Sequence, residues 1–417
     1  MSPFSLMRPP VAALRTLLGF FALNCCGSTA ADSAAALASP QAQASTPATA
    51  CHAARGRTLD VGIGRTHRVP SAAAAVARSG DVIRIAAGDY RGDVAYWSAS
   101  NLTICGIGGR ARLFADGKSA GGKAIWVIGG SNITIDSIEF HDAKVEDRNG
   151  AGIRAEHRGR LAIRNAGFFD NENGILGGSA GATISIETSE FARNGYGDGY
   201  SHNLYIGNAD QLTVSASFFH EAKVGHNLKS RARETRIETS YFMDGPSGTS
   251  SYLADFPNGG VVFLRGNLFQ KGPNAENPTA IAYGAEGLSW PINTFEMVHN
   301  TVVITRENGS FLRAPAGAHS IKLTANLFAG TANPTLIGGG YGISEIAQQA
   351  NVITAAANLP GAENIATPDF WPDRALQALI GLARPLDPAY VSDAPRPFHL
   401  RAMTGPNRYA GALQRAP

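Results

Sequence analysis

The stretch "ISIETSEF" at residues 184–191 alternates apolar and polar residues, breaks at small polar residues and ends on an aromatic residue. A second copy, "LTVSASFF", follows at 212–219. Further copies recur every 23 to 33 residues, namely "ITIDSIEF" (133–140), "LAIRNAGF" (161–168), "TRIETSYF" (235–242), "VFLRGNLF" (262–269), "FEMVHNTV" (295–302) and "KLTANLF" (322–328). Short alternating strands repeated at such a period are typical of a solenoid.

The type of solenoid follows from what the repeat lacks. No unit contains a pair of amphipathic helices, and the leucine/asparagine consensus of leucine-rich repeats is missing. We therefore predict an all-β fold, a single right-handed parallel β-helix with three short strands per rung. One further apolar position per rung supports this prediction, formed by Ile153, Ile175, Leu204, Leu228, Leu253 and Ile281.

The two ends of the chain differ from this pattern. The segment "PSAAAAVARSG" (70–80) predicts a short capping helix at the N-terminal end of the coil, which would otherwise present a bare sheet edge. We expect the β-helix to span residues 51–345 and residues 346–417 to form an irregular C-terminal cap or tail.

The N-terminus has the features of an export signal. Arginines precede the apolar run "LLGFFALNCC", and small residues follow it, so we predict a signal peptide over residues 1–31 and a flexible Ala/Ser/Pro linker over 32–50. The apolar run is too short to span a bilayer, which predicts a periplasmic or extracellular protein without a membrane span. Cys25 would suit a lipoprotein anchor, but Asn24 before it does not match the small residue expected there.

Charge and cysteine content narrow the class further. The formal net charge of +3 over 417 residues argues against a nucleic-acid partner, and we expect a monomer. Cys51 and Cys105 remain after signal cleavage, and they either form a disulfide or stay as two buried thiols.

Several segments resemble the pectate-lyase-like right-handed β-helix superfamily over residues 58–345. "GDVIRIAAGDYRGD" and "NLTICGIGG" are similar to the start of many secreted members, and "GKAIWVIGG", "NGAGIRAE", "DNENGIL", "HNLYIG" and "GHNLKSRA" resemble a bacterial exported group. The resemblance implies a carbohydrate-active protein, but this fold hosts lyases, hydrolases, epimerases and adhesins.

Two copies of a short motif suggest where the chemistry lies. "SHNLYIG" (201–207) and "GHNLKSR" (225–231) share His, Asn and Leu, while Tyr205 is replaced by Lys229 and Gly207 by Arg231. Because side chains alternate along a strand, inward leucines predict an outward stripe. The stripe comprises Arg154, Asn203, Tyr205, Asn227, Lys229, Arg231 and Tyr252.

Such a stripe suits an acidic polysaccharide, since Lys and Arg bind carboxylates. β-Elimination needs carboxylate neutralisation, a base and a proton donor. We assign Lys229 as base, Arg231 or Arg154 as the carboxylate ligand, and Tyr205 or His226 as donor. Asn203, Asn227, Tyr252, His202 and Arg154 are the predicted substrate-binding residues.

One strand end resembles a lyase family more specifically. "LKSRARETRIETSYF" is similar to the Lys-Ser strand end of the alginate lyase and chondroitinase B family, which implies that Lys229 is the base. The acidic calcium ligands of that family are replaced by Ala222 and Val224, and "SYLADF" stands where its arginine is expected. Calcium assistance of that kind is therefore not expected.

Alternatives remain at each step. The same stripe could serve a C5-epimerase or a non-catalytic glycan-binding or envelope-assembly protein. A hydrolase would need paired carboxylates, and Asp198, Glu221, Asp255 and Glu286 are scattered along the sequence.

Structural interpretations compete with these functional ones. The histidines and asparagines of the two motifs could form buried ladders, and the Lys-Ser-Arg run could be solvated surface. We predict no cofactor. The oxygens of "DNENG" (170–174) could hold calcium or form a turn.

Overall fold

The computed structural model describes residues 49–330, 335–337, 346–359, 370, 376, 381–386 and 407–413. Their strands stack in parallel into three faces. This arrangement confirms the predicted all-β parallel β-helix. Within these residues, face 1 contains Ala95–Trp97, Ala124–Ile128, Ala151–Ala155, Asn173–Gly177, Leu204–Ile206, Leu228–Ser230, Ala254–Phe256, Thr279–Tyr283, Ser310–Arg313 and Thr335–Ile337.

Two other faces complete each rung. Face 2 contains Ile133–Asp136, Gly159–Arg164, Ala182–Glu187, Gln211–Ser215, Glu234–Glu238, Val261–Arg265, Thr294–Val298, Ser320–Thr324 and Ile346–Gln349. Face 3 contains Ile138–His141, Gly167–Phe169, Glu190–Ala192, Phe218–His220, Tyr241–Met243, Leu268–Lys271, Thr301–Ile304, Leu327–Gly330 and Val352–Ala355. The coil begins with Thr58–Val61, Val82–Arg91 and Thr103–Phe114, the last of which pairs with the first strands of both faces.

The repeated sequence motif corresponds to the corner between faces 2 and 3. Its alternating half forms the face 2 strand, and the first residue after that strand has a positive φ, as at Thr188 (47°) and Ala216 (48°). The second corner residue is Ser or Asn in most rungs, and its side chain accepts the backbone N–H of the preceding rung. Examples are Ser217 Oγ with Ser189 N (3.2 Å) and Asn326 Oδ1 with Asn300 N (2.8 Å). The corner thus satisfies buried backbone groups that sheet pairing leaves free.

The aromatic end of the motif fills the core. Six phenylalanines, one per rung, stack with ring centroids 4.5 to 5.1 Å apart; they are Phe140, Phe168, Phe191, Phe219, Phe242 and Phe269. All are fully buried. Each such side chain contributes roughly 1.5–3 kcal/mol through burial.

The register of one rung differs from the prediction by a single residue. Leu228 pairs with Ala254 rather than with Leu253. Because side chains alternate, this shift places Asp255 beside Lys229 in the outward row, where neighbouring side chains bury it, and removes Tyr252 from that row.

The N-terminal end is closed by two short helices. Pro70–Ala74, shorter than predicted, buries Pro70 and Ala73 at the end of the core. Thr49–Ala53 is joined to the strand Thr103–Phe114 by a disulfide between Cys51 and Cys105, whose Cα atoms lie 6.0 Å apart. The predicted signal peptide and residues 32–48 of the predicted linker lie outside the described residues.

The coil continues past the predicted boundary at residue 345, since Ile346–Gln349 and Val352–Ala355 pair in register with the preceding rung. A 3-10 turn, Ala356–Asn358, follows, and Gly381–Leu386 pairs antiparallel with Asn407–Tyr409. Described C-terminal residues such as Phe370 pack on the outside of face 3, where Phe370 contacts Tyr241 edge-on. None of the helices described is long and apolar enough to cross a membrane.

Candidate functional site

Lys229 is the centre of a charged cluster on the outside of face 1. It follows the inward Leu228 in its strand, so its side chain points outward between those of the two adjacent rungs. Tyr205 pairs with it on one side and Asp255 on the other. Its ammonium lies 5.9 Å from the Tyr205 ring centroid and 3.4 Å from Asp255 Oδ2. Only 12% of the Lys229 side chain is exposed.

Arg231 lies one residue beyond the end of this strand and still reaches the cluster. Its Nε donates to the Tyr205 hydroxyl (2.9 Å), and its Nη1 donates to Asn258 Oδ1. Its carbonyl oxygen accepts the indole N–H of Trp290 at 3.2 Å. These contacts fix the guanidinium beside the Tyr205 hydroxyl, as the outward stripe predicted.

Glu286 joins the two cations from the turn between faces 1 and 2. One carboxylate oxygen contacts Lys229 Nζ at 3.0 Å, and the other contacts Arg231 Nη2 at 2.7 Å. Nearly half of the Glu286 side chain (49%) is exposed. Partial burial raises its pKa, but the hydrogen bonds from Arg231 and Lys229 outweigh this effect and lower the pKa overall.

Asp255 is the second carboxylate in contact with Lys229. Its side chain is 3% exposed, and its Oδ1 has no hydrogen-bond partner among the described residues. Burial raises the pKa of Asp255 to about 6, although the Lys229 charge opposes the shift. His226 Nε2 lies 3.4 Å from Asp255 Oδ2. The two carboxylates around Lys229 therefore have pKa values displaced in opposite directions, which is typical of acid–base pairs.

The two predicted histidines are buried in a ladder. Their rings stack at 4.7 Å, and His202 Nδ1 accepts the backbone N–H of His226 at 2.9 Å. His226 Nδ1 likewise accepts the N–H of Tyr252 at 3.0 Å. Burial lowers the pKa of His202 to about 3 and that of His226 well below its usual value. Both rings are thus neutral, and this geometry does not present them to a glycan as donor or binding group.

The prediction that Asn203 and Asn227 point outward is wrong. Both are fully buried, and Asn203 Nδ2 donates to Asn227 Oδ1 at 2.7 Å. Asn203 Oδ1 in turn accepts the side chain and backbone N–H groups of Asn194. Each residue precedes its strand, where the chain is still turning, so simple alternation from the leucine does not apply to it.

Two further predicted ligands lie apart from the cluster. Tyr252 is 8% exposed, stacks on His226 at 5.2 Å, and accepts a hydrogen bond from Arg313 through its hydroxyl. Arg154 is separated from Tyr205 by the rung carrying Leu176. At about 4.8 Å per rung this places Arg154 roughly 14 Å from Lys229, too far to share one sugar carboxylate.

The sequence predicts that Tyr205, Lys229 and Arg231 lie together, but it does not predict the partners that surround them. Asp255 and Glu286 are far apart in the sequence, yet both contact the Lys229 ammonium. The one-residue register shift concealed Asp255. Glu286 lies on a turn, for which strand alternation gives no prediction.

The "DNENG" segment is occupied by protein contacts. Asp170 pairs with Arg193, Asn171 continues the asparagine ladder, and Glu172 accepts the backbone N–H groups of Val145 and Gly150. Positive φ at Asp170 (58°) fits the turn interpretation. Across the described part of the chain, no group of three or more His, Cys, Asp or Glu side chains is arranged to hold a metal ion.

Comparison with known proteins identifies the fold. No protein-family profile and no curated protein sequence matches the chain. Among solved structures, pectate lyase Pel9A is similar with a TM-score of 0.58 at 12% identity, over 88% of this chain and 98% of that one. An alginate lyase from Paenibacillus sp. str. FPU-7 gives a TM-score of 0.49 at 17% identity, over 70% of this chain and 99% of the other. The likeness to Pel9A shows that the two proteins share the β-helix fold and no more.

Proposed function

We propose that this protein cleaves an acidic, uronate-containing polysaccharide by β-elimination at the Tyr205–Lys229–Arg231 cluster. One observation carries the proposal: Lys229 and Arg231 both donate hydrogen bonds to the carboxylate of Glu286, beside the Tyr205 hydroxyl. A fold shared with a solved pectate lyase is compatible with this chemistry.

The three requirements of the reaction have one candidate each. Arg231 carries a permanent charge and neutralises the sugar carboxylate. Lys229, whose ammonium also helps to bind that carboxylate, releases one proton to solvent and then takes the C5 proton through Nζ. The C5–H electrons form the C4–C5 double bond, the C4–O bond breaks, and the Tyr205 hydroxyl gives its proton to the leaving oxygen. Tyr205 and Lys229 are on adjacent strands and approach the sugar from one side, which fits a syn elimination.

Hydrolysis is the second candidate, favoured by the carboxylate pair. Asp255 and Glu286 both contact Lys229 Nζ, at 3.4 and 3.0 Å. The raised pKa of Asp255 suits a general acid and the lowered pKa of Glu286 a base or nucleophile. Elimination is preferred because Asp255 is buried behind Lys229, away from a glycan on the surface.

The test is a screen of purified protein on pectate, alginate and glycosaminoglycans. Elimination produces the absorbance of an unsaturated uronate, and we expect Lys229→Ala to lower the rate at least about 100-fold. The matched control is Lys322→Ala, an exposed lysine on face 2. Hydrolysis would be favoured if new reducing ends form without the absorbance of an unsaturated uronate and if Asp255→Asn no longer produces these ends. Binding without product would favour the glycan-binding alternative, and conversion of one uronate to its C5 epimer would indicate an epimerase.

We also propose that the mature protein acts in the periplasm or outside the cell. The Cys51–Cys105 disulfide supports an oxidising compartment. N-terminal sequencing of protein recovered from the periplasm or medium is expected to begin near Ala31, and protein retained in the cytoplasm with Met1 intact would contradict this.

A further inference from the structure

The contact between Glu286 and the two cations resembles a bound ligand more than a structural salt bridge. Each carboxylate oxygen contacts one cation, Oε1 with Lys229 and Oε2 with Arg231. Two cations placed to receive the two oxygens of one group form a receptor for a planar carboxylate. The cations themselves are held elsewhere, by Tyr205 and Asn258 on Arg231 and by Asp255 on Lys229.

The turn that carries Glu286 does not depend on its carboxylate. The backbone N–H of Glu286 donates to Pro257 O at 2.9 Å, and Ser289 N donates to Asn258 O at 2.9 Å. The Trp290 indole anchors the far side of the turn on the Arg231 carbonyl. With the backbone fixed and half of its side chain exposed, Glu286 can swing out while the turn remains in place.

We propose that Glu286 is a specificity-determining placeholder, which occupies a uronate carboxylate subsite formed by Lys229 and Arg231 until the substrate carboxylate displaces it. The inference rests on the proposed function in placing an acidic glycan at this cluster, and it adds the group that the subsite recognises. A neutral sugar cannot replace the charge of Glu286 and is rejected. A tetrahedral sulfate fits the paired planar contacts less well than a carboxylate does.

The placeholder competes with substrate, so removing its charge tightens binding. Each partly exposed ion pair contributes about 0.2–1 kcal/mol, so we expect Glu286→Gln to bind acidic oligosaccharides roughly three- to tenfold more tightly than wild type. Glu276→Gln is the matched control, because Glu276 is exposed on a neighbouring turn and is not in contact with the cation pair.

Calorimetric titrations would use uronate oligosaccharides from pectate, alginate and hyaluronan, the methyl esters of the same oligosaccharides, and a sulfated dextran oligosaccharide. The proposal requires that Glu286→Gln bind at least one free-acid oligosaccharide more tightly than wild type does. It also requires that the variant bind the methyl ester of that oligosaccharide and the sulfated probe no more tightly than wild type. The proposal is overturned if the variant's affinity rises for none of the free acids, or if it rises equally for the methyl ester. A lower melting temperature for Glu286→Gln than for Glu276→Gln without any gain in affinity would show a structural salt bridge instead.

The same variants separate this inference from the proposed reaction. Tighter acid binding without any unsaturated product supports the subsite and contradicts the lyase. If unsaturated product forms and is lost in Lys229→Ala, but Glu286→Gln binds acidic oligosaccharides no more tightly than wild type, the lyase is supported and the placeholder is overturned.

Discussion

At the scale of single residues, Asp255 is a carboxyl group whose pKa its surroundings change strongly. Its carboxylate is buried between His226 and Lys229, and burial raises its pKa from 3.8 to about 6. A carboxyl whose pKa is higher in the folded than in the unfolded protein contributes stability at low pH. That contribution is complete below about pH 4 and is lost as the pH rises through about 6.

The Asp255→Asn variant removes this titration. We expect the free energy of unfolding of wild type to decrease, relative to that of the variant, between pH 4 and pH 6.5, because only wild type must ionise a buried carboxyl. Urea unfolding at several pH values measures the difference. The exposed Asp198→Asn should give a curve parallel to wild type, and a parallel curve for Asp255→Asn would contradict the prediction.

Residue types and spacing were enough to predict that Tyr205, Lys229 and Arg231 meet. Strand alternation fixes Tyr205 and Lys229 once the inward leucines are recognised. The scaffold dictates the glycine at position 207, since a Cβ there would lie 2.6 Å from the carbonyl oxygen of Gly178, whereas it does not dictate the arginine at position 231. Asp255 could not be assigned because Leu253 and Ala254 are both buried and apolar, so the hydrophobic pattern did not determine the register.

At the scale of elements, the turns between strands are held by side-chain ladders. Asn203 illustrates this, because its amide accepts from Asn194 and donates to Asn227 and to the carbonyl of His220. Loss of one such amide leaves several buried polar groups unpaired, and each costs about 1–3 kcal/mol. The ladder therefore stabilises the rungs beneath the site rather than the substrate above it.

We expect Asn203→Ala to lower the free energy of unfolding by about 2–4 kcal/mol. The affinity of the folded protein for acidic glycans should stay at the wild-type value. Denaturant unfolding combined with calorimetry separates the two effects. Asn274→Ala provides the surface comparison, expected to change stability by no more than about 0.5 kcal/mol. Weakened binding at unchanged stability would restore the ligand role that the sequence suggested for Asn203.

The sequence predicts elements better than turns for a physical reason. Strands repeat because every rung buries the same faces, so the aromatic and aliphatic positions recur and can be aligned. Turns differ in length from rung to rung, and their contacts form between rungs rather than within one. The turn that carries Glu286 therefore leaves no periodic signal, although it completes the candidate site.

At the scale of the whole molecule, charge is nearly balanced. The chain has 36 Lys and Arg against 33 Asp and Glu, and many arginines are paired with carboxylates along the faces, as Arg164 is with Glu187 and Arg236 with Glu238. Such a surface produces little long-range attraction for a polyanion. Recognition of an acidic polymer must then depend on the few cations of the site.

This balance predicts a weak dependence of binding on salt. A polyanion bound by a broad basic surface releases many counterions, whereas contact with Lys229 and Arg231 alone should give a slope of log Kd against log salt of roughly 1–2. Arg231→Gln should reduce that slope by about one. Arg160→Gln, an exposed arginine on face 2, should leave it unchanged. A steeper slope that both arginine variants reduce equally would mean that the polymer is bound by the general surface. That result would contradict the assignment of the cluster on face 1 as the binding site.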